Sequence, residues 1–166
     1  SQGGNNNAWC QNNEVSWYDW GLQEAHADIH RFVRALIAFR LRHPVFLRAE
    51  FYSGEEAEDG SVPEIRWLAP DGAEPDWERA GQVLGCRLEG GEDGDFLLLF
   101  NSGPLPQAFR LPAEGGWRRA VDTGLPSPED VPEPGQEPPV ASPDAYTLAG
   151  RSLAVLLSGR PGRGLR

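Results

Sequence analysis

The chain changes its hydrophobic rhythm once, near residue 50. Before that point, "EAHADIHRFVRALIAFRLRHP" puts Ile29, Phe32, Val33, Leu36, Ile37 and Phe39 on one broad side of a helix, with Arg31, Arg34 and Arg42 mainly opposite. Pro44 ends it, because the residue before a proline is pushed out of the helical region. The apolar face is wide for a lone helix and predicts a large surface packed against it. Beyond residue 50 the pattern becomes seven short runs, "EIRWLA", "VLGCRLE", "DFLLLFN", "QAFRLP", "WRRAVD", "AYTLA" and "SLAVLLS", separated by Gly, Pro, Asp and Asn. Short strands with turn chemistry between them predict an antiparallel sandwich or barrel. "DFLLLFN" and "SLAVLLS" are continuously apolar and suit central strands, whereas "QAFRLP" and "WRRAVD" suit strands with one wet face.

Two stretches follow neither period. The first twenty residues are polar and glycine-led, yet they hold Trp9, Trp17, Tyr18 and Trp20, an aromatic density that predicts an ordered loop. Residues 124–144 contain seven prolines and no large aromatic, and predict a stiff acidic surface loop without secondary structure. The tail "GRPGRGLR" is expected to fray.

Charge narrows the function classes. The 166 residues carry a net charge of -10, and all 15 basic residues are arginine. Residues 1–50 balance five arginines against five acids, so the whole excess lies in the remainder. Such a surface repels phosphate backbones and argues against a nucleic-acid partner. No apolar run approaches the roughly 20 residues that span a bilayer, and no signal-peptide pattern opens the chain, so a soluble protein without a membrane partner is expected. Cys10 and Cys86 have no CxxC partner and read as two free buried thiols in a reducing cytoplasm.

Catalytic patterns are sparse. His26 and His30 share a helix face at i, i+4, but the glutamate of HExxH is absent and no third ligand suggests itself, so neither a metal nor a cofactor is expected. GxSxG, GxGxxG and GxxxxGK[ST] do not occur. Glu14 and Asp19 are the acids of the opening loop, and Asp19 suits the turn into the helix better than one half of a catalytic carboxylate pair. The loop itself is the better candidate. Asn5, Asn6, Asn7, Gln11, Asn12 and Asn13 offer amides that both donate to and accept from hydroxyls, and Trp9 offers a flat plate. The same amides could equally satisfy backbone groups in an irregular loop. It is a lining that could bind a sugar but could not cleave one.

Taken in order, "QGGNNNAWCQNNEVSWYDW", "HADIHRFVRALIAFRLRHPVF", "EIRWLAPDG", the "DW" at 76–77, "FLLLFN" and "YTLAGRSLAVLL" closely resemble the C-terminal end of bacterial glycogen debranching enzymes, isoamylase-like members of the α-amylase superfamily of glycoside hydrolases. The resemblance runs over essentially the whole chain. It implies a mainly β fold: an antiparallel β-sandwich over residues 49–166, preceded over residues 1–48 by a loop and one long helix that resemble the end of a (β/α)8 barrel. It implies a parent that hydrolyses α-1,6-glucosidic branch linkages in glycogen or limit dextrin, with retention. It also implies that the catalytic carboxylates lie on earlier strands, so that no catalytic residue falls in this chain. Asn5, Asn6, Asn7, Trp9 and Gln11 become the expected substrate contacts. Two positions depart from the family: aspartate is usual at Asn12 and tyrosine is common at Trp9, so a role needing a carboxylate at residue 12 is in doubt.

Two other readings compete. A stand-alone carbohydrate-binding module would use Trp67, Trp77 or Trp117, and an exposed, flat pair of those rings would favour it, whereas buried rings would favour a structural role. An interaction module would use the wide helix face, which would dock on the missing barrel or drive self-association of the isolated chain.

Overall fold

The computed structural model describes residue 9 and residues 12–14, 16–55, 64–79 and 81–158. Helix α1 covers Leu22–Ala25 and α2 covers Ala27–Arg42. The single helix expected from about residue 24 is therefore broken at His26, whose backbone leaves the helical region at φ -124° and ψ 41°. Hydrogen bonding continues across the joint, since His26 N–H donates to Leu22 O and His30 N–H donates to His26 O. Asp19 does orient the entry, with its Oδ1 accepting the Gly21 N–H at 2.9 Å. At the far end His43 is extended, as its position before Pro44 demands, and a 3-10 turn follows over Pro44–Leu47.

The seven apolar runs form seven strands: β1 Ile65–Leu68, β2 Val83–Leu88, β3 Phe96–Asn101, β4 Gln107–Arg110, β5 Arg118–Asp122, β6 Ala145–Leu148 and β7 Ser152–Leu157. A five-stranded antiparallel sheet has the order β1-β2-β3-β7-β5, and β4 and β6 pair separately as a two-stranded sheet. "DFLLLFN" and "SLAVLLS" do lie inside the sheet, side by side. Alternation along β3 explains their continuous apolarity: Phe96, Leu98 and Phe100 face one core, and Leu97 and Leu99 face another.

The first core lies under α2. Phe32, Ala35, Leu36 and Phe39 from the helix, with Val45 and Phe46 from the turn, pack on Cys86, Leu88, Phe96, Val121 and Val155. Phe39, Phe46 and His43 all set their rings edge-on or tilted around Phe96. The second core lies under the small sheet, where Phe109, Leu111, Trp117 and Leu148 meet Leu68, Leu97, Leu99, Ala154 and Leu156. The architecture is thus a sandwich of unequal sheets with a helix as a third layer.

Two expectations need correction. "QAFRLP" has its wet face in β4, but β5 ends in three successive buried residues, Ala120, Val121 and Asp122. The register slips between Arg119 and Val121, and this bulge turns both Ala120 and Val121 into the helix-side core. The proline-rich stretch is no mere surface loop. Val131 is buried in the helix-side core, Pro138 O accepts the Arg119 N–H, and Asp130 O accepts the Asp122 N–H. Val140 N–H donates back to Trp117 O, and Pro139 bridges antiparallel to Arg118, so the segment covers the edge of β5 with a single bridge; its prolines, which cannot donate, keep it from running on as a full strand. It also grips the helix: Arg31 ion-pairs with Asp130 and donates to Ser127 Oγ at 2.8 Å and Val131 O at 3.2 Å.

Asn101 and Tyr146, polar side chains held between the layers, are both paired. Asn101 Nδ2 donates to Leu105 O and Ala149 O, and its Oδ1 accepts the Gly103 N–H, so one side chain ties the β3–β4 and β6–β7 loops together. Tyr146 donates to Asp122 Oδ2 at 2.5 Å, linking the small sheet to the large one, and burial with this bond raises the phenol well above its ordinary value.

Burial in the helix-side core pushes the Cys86 thiol up from 9.0 to about 11. The unfolded thiol ionises first, so stability holds below pH 9 and falls as pH climbs from 9 towards 11. Urea unfolding should show the decline, and Cys86→Ala should remove it between pH 9 and 10, below the range where the raised Tyr146 phenol adds its own; an unchanged slope there in the variant would count against the assignment.

Candidate functional site

The opening loop reaches α1 through locally closed turns. Ser16 N–H and Trp17 N–H both donate to Asn13 O, at 2.9 and 3.0 Å. Trp17 Nε1–H donates to Asn12 Oδ1 at 2.7 Å, which fixes the indole across five residues. That bond needs only an oxygen at residue 12, and a carboxylate would serve it as well as the amide does. Tyr18 and Trp20 then meet edge to face at 5.2 Å. Of the expected sugar contacts, Trp9 is described, whereas Asn5, Asn6, Asn7 and Gln11 lie outside the described residues. Trp9 is 79% exposed, and its backbone sits at φ 43°, a left-handed conformation uncommon for a bulky residue. The loop therefore presents four aromatic rings outward, Trp9, Trp17, Tyr18 and Trp20.

The helix behind this loop divides its wide apolar face in two. Phe32, Leu36 and Phe39 go into the sandwich, while Ile29, Val33, Ile37 and Leu41 form a second ridge at four-residue spacing that stays exposed. Beside it, Asp28, Ile29 and Phe32 line an open cleft of about 350 Å³ with Thr123, Pro126 and Asp130.

The tryptophans of the sandwich separate by role. Trp117 is 2% exposed, donates its indole N–H to Pro112 O at 2.9 Å, and lies flat on Gly115, where an added Cβ would sit 2.2 Å from the ring. It is a core residue. Trp67 and Trp77 are 40% and 62% exposed and touch, with ring centroids 6.1 Å apart and planes at 84°. They are an exposed pair but not a flat one. Their juxtaposition is not readable from spacing, since nine residues and a turn separate them; the signal in the sequence is two tryptophans flanking one Asp-Gly turn.

The acids of the loop do not converge on a described catalytic arrangement. Asp19 is engaged with Gly21, and Glu14 is exposed. His26 stands at the break between helices, and among the described residues no group of three or more His, Cys, Asp or Glu side chains could hold a metal ion. No helix among the described residues is long and apolar enough to cross a membrane.

The described residues thus form an unequal antiparallel sandwich with a helix on one face and a loop of exposed aromatic rings before it. The family described as "Isoamylase 1-3, C-terminal" matches residues 66–152, and the chain belongs to it. It is 34% identical over 176 residues to a protein of Mycobacterium tuberculosis named "Glycogen operon protein GlgX homolog", covering 94% of this chain and 24% of that one. The match to an "Isoamylase" of Flavobacterium is 30% identical over 172 residues, covering 95% of this chain and 22% of that one. Among solved structures, pullulanase type I from Bacillus subtilis, complexed with maltose, superposes with a TM-score of 0.59 at 18% identity, over 88% of this chain and 18% of that one. That likeness shows the fold. The chain spans 24% and 22% of the length of the two curated relatives.

Burial predicts how the tryptophans divide under substitution. Trp117→Ala should cost about 3–5 kcal/mol of unfolding free energy, whereas Trp20→Ala should stay within about 0.5 kcal/mol. Denaturant unfolding of the two variants checks this, and a Trp20 cost equal to that of Trp117 would contradict the assigned roles.

Proposed function

We propose that the chain is the C-terminal part of a glycogen debranching enzyme, a glycoside hydrolase cleaving α-1,6-glucosidic linkages, and that it carries no catalytic carboxylate itself. The observation that carries this reading is the join between the amide- and tryptophan-rich loop and a helix welded to the sandwich. The names of the relatives, one from a glycogen operon and one an isoamylase, support an α-glucan substrate.

On this reading residues 1–48 are the last loop and last helix of a (β/α)8 barrel, and residues 49–166 are the sandwich that follows. The exposed ridge of Ile29, Val33, Ile37 and Leu41 is the side that meets the barrel, since an aliphatic stripe of that length gains most from being covered. Without the barrel, the same ridge favours self-association. Trp9, Asn5, Asn6, Asn7 and Gln11 line the glucan path, with the exposed Trp9 indole stacking on a sugar face. The sandwich fixes the helix, and the helix fixes where the loop begins. The setting is the cytoplasm, in keeping with the free thiol of Cys86.

In the full-length enzyme, Trp9→Ala should lower kcat/KM on a branched malto-oligosaccharide about tenfold, the equivalent of about 1.4 kcal/mol of lost transition-state binding. Steady-state kinetics read it directly. Unchanged kcat/KM would remove Trp9 from the glucan path.

A further inference from the structure

We propose that Trp67 and Trp77 form a second α-glucan site, carried by the sandwich itself at its β1 edge and independent of bond cleavage; the choice of ligand rests on the α-glucan reading above. Trp67 lies on the outermost strand of the five-stranded sheet, opposite Cys86 of β2. Trp77 comes from the connection to β2 and is held by its neighbours. Asp76 Oδ1 accepts the Glu78 N–H at 3.1 Å, and Asp76 O accepts the Arg79 N–H at 3.2 Å. The loop is thus a built turn that presents an indole outward.

Trp117, in the same sandwich, shows what a structural tryptophan does here: it is buried, with its N–H bonded. The Trp67–Trp77 pair does the opposite and leaves two large apolar rings in contact at the surface. Paired exposed indoles are costly to hydrate and mark a binding surface. The chemistry suits a sugar, because the C–H face of a glucose ring packs on an indole while nearby polar groups meet its hydroxyls. Asp76 and Arg79, an exposed ion pair at 3.6 Å, supply those groups beside Trp77.

The angle selects the polymer. Rings at 84° cannot lie along the flat ribbon of a β-1,4-glucan, in which successive faces are parallel. An α-1,4-glucan coils, so that successive glucose rings turn relative to one another and two perpendicular plates can each meet one. Binding here would hold a polymer by its outer chains and raise the local concentration of branch points.

The test is electrophoresis of the 166-residue chain through gels containing glycogen, or containing hydroxyethylcellulose, a soluble β-1,4-glucan, instead. Glycogen should retard the wild-type chain and β-glucan should not. Trp77→Ala, in an exposed loop, should weaken the retardation at least fivefold, and Leu105→Ala, an exposed apolar side chain on another loop, should leave it within twofold. Amide and indole NMR signals with maltoheptaose give a second reading, with the Trp67 and Trp77 indoles expected to shift. Absence of retardation by glycogen, equal retardation by β-glucan, full retardation of the Trp77 variant, or indole shifts confined to Trp9 would each overturn the site. Debranching by the full-length enzyme is read separately, as release of linear chains from a short branched oligosaccharide. Its failure would contradict the hydrolase reading while leaving the Trp77 result standing.

Discussion

Everything in this molecule follows from one strand being buried on both sides. Phe96, Leu97 and Leu99 are almost wholly removed from water, and they point alternately to opposite faces of the large sheet. A strand of this kind cannot stand at the surface of a two-layer sandwich. It requires a cover on each face, and the two covers differ. The small sheet and Trp117 close one side, and α2 closes the other. Burying side chains of this size contributes about 1.5–3 kcal/mol each, so neither cover is optional for stability.

The consequence for function is a shared wall. Helix α2 gives one stripe to the sandwich and keeps another exposed, so the sandwich and whatever meets the ridge would be coupled through one rigid element. The proline-rich segment strengthens this coupling from the side. Its carbonyls cover the edge of β5, its Val131 enters the core, and its Asp130 holds Arg31 of the helix. The aromatic loop enters α1 through the Asp19 turn, and its placement is inherited from that wall. On the debranching reading proposed above, the domain contributes by position, with the chemistry assigned to carboxylates elsewhere in the parent.

The strands were legible because period and punctuation agreed. Each apolar run became a strand, and the two continuous runs became the central pair, since double-sided burial leaves no polar alternation. The break at His26 was not legible, because no proline or glycine marks it and the apolar period continues through it. The bulge at Ala120 was hidden for a similar reason: a one-residue slip changes faces without changing composition. The role of the proline-rich stretch was missed because composition reports that prolines do not donate, but not where their carbonyls point. At the candidate site, the amides and Trp9 could be named from the chain alone, and the use of Asn12 by Trp17 emerged only from geometry. The contact between Trp67 and Trp77 depends on how a turn folds back, which spacing does not encode.

The shared wall is tested most directly by native-state amide hydrogen exchange of the 166-residue chain. If α2 is an integral layer, the amides of Phe32 to Phe39 should be protected to within about tenfold of those of β3, opening only with the whole fold. Fast exchange along α2 while β3 remains protected would contradict it, and would mean that the sandwich closes its second face without the helix.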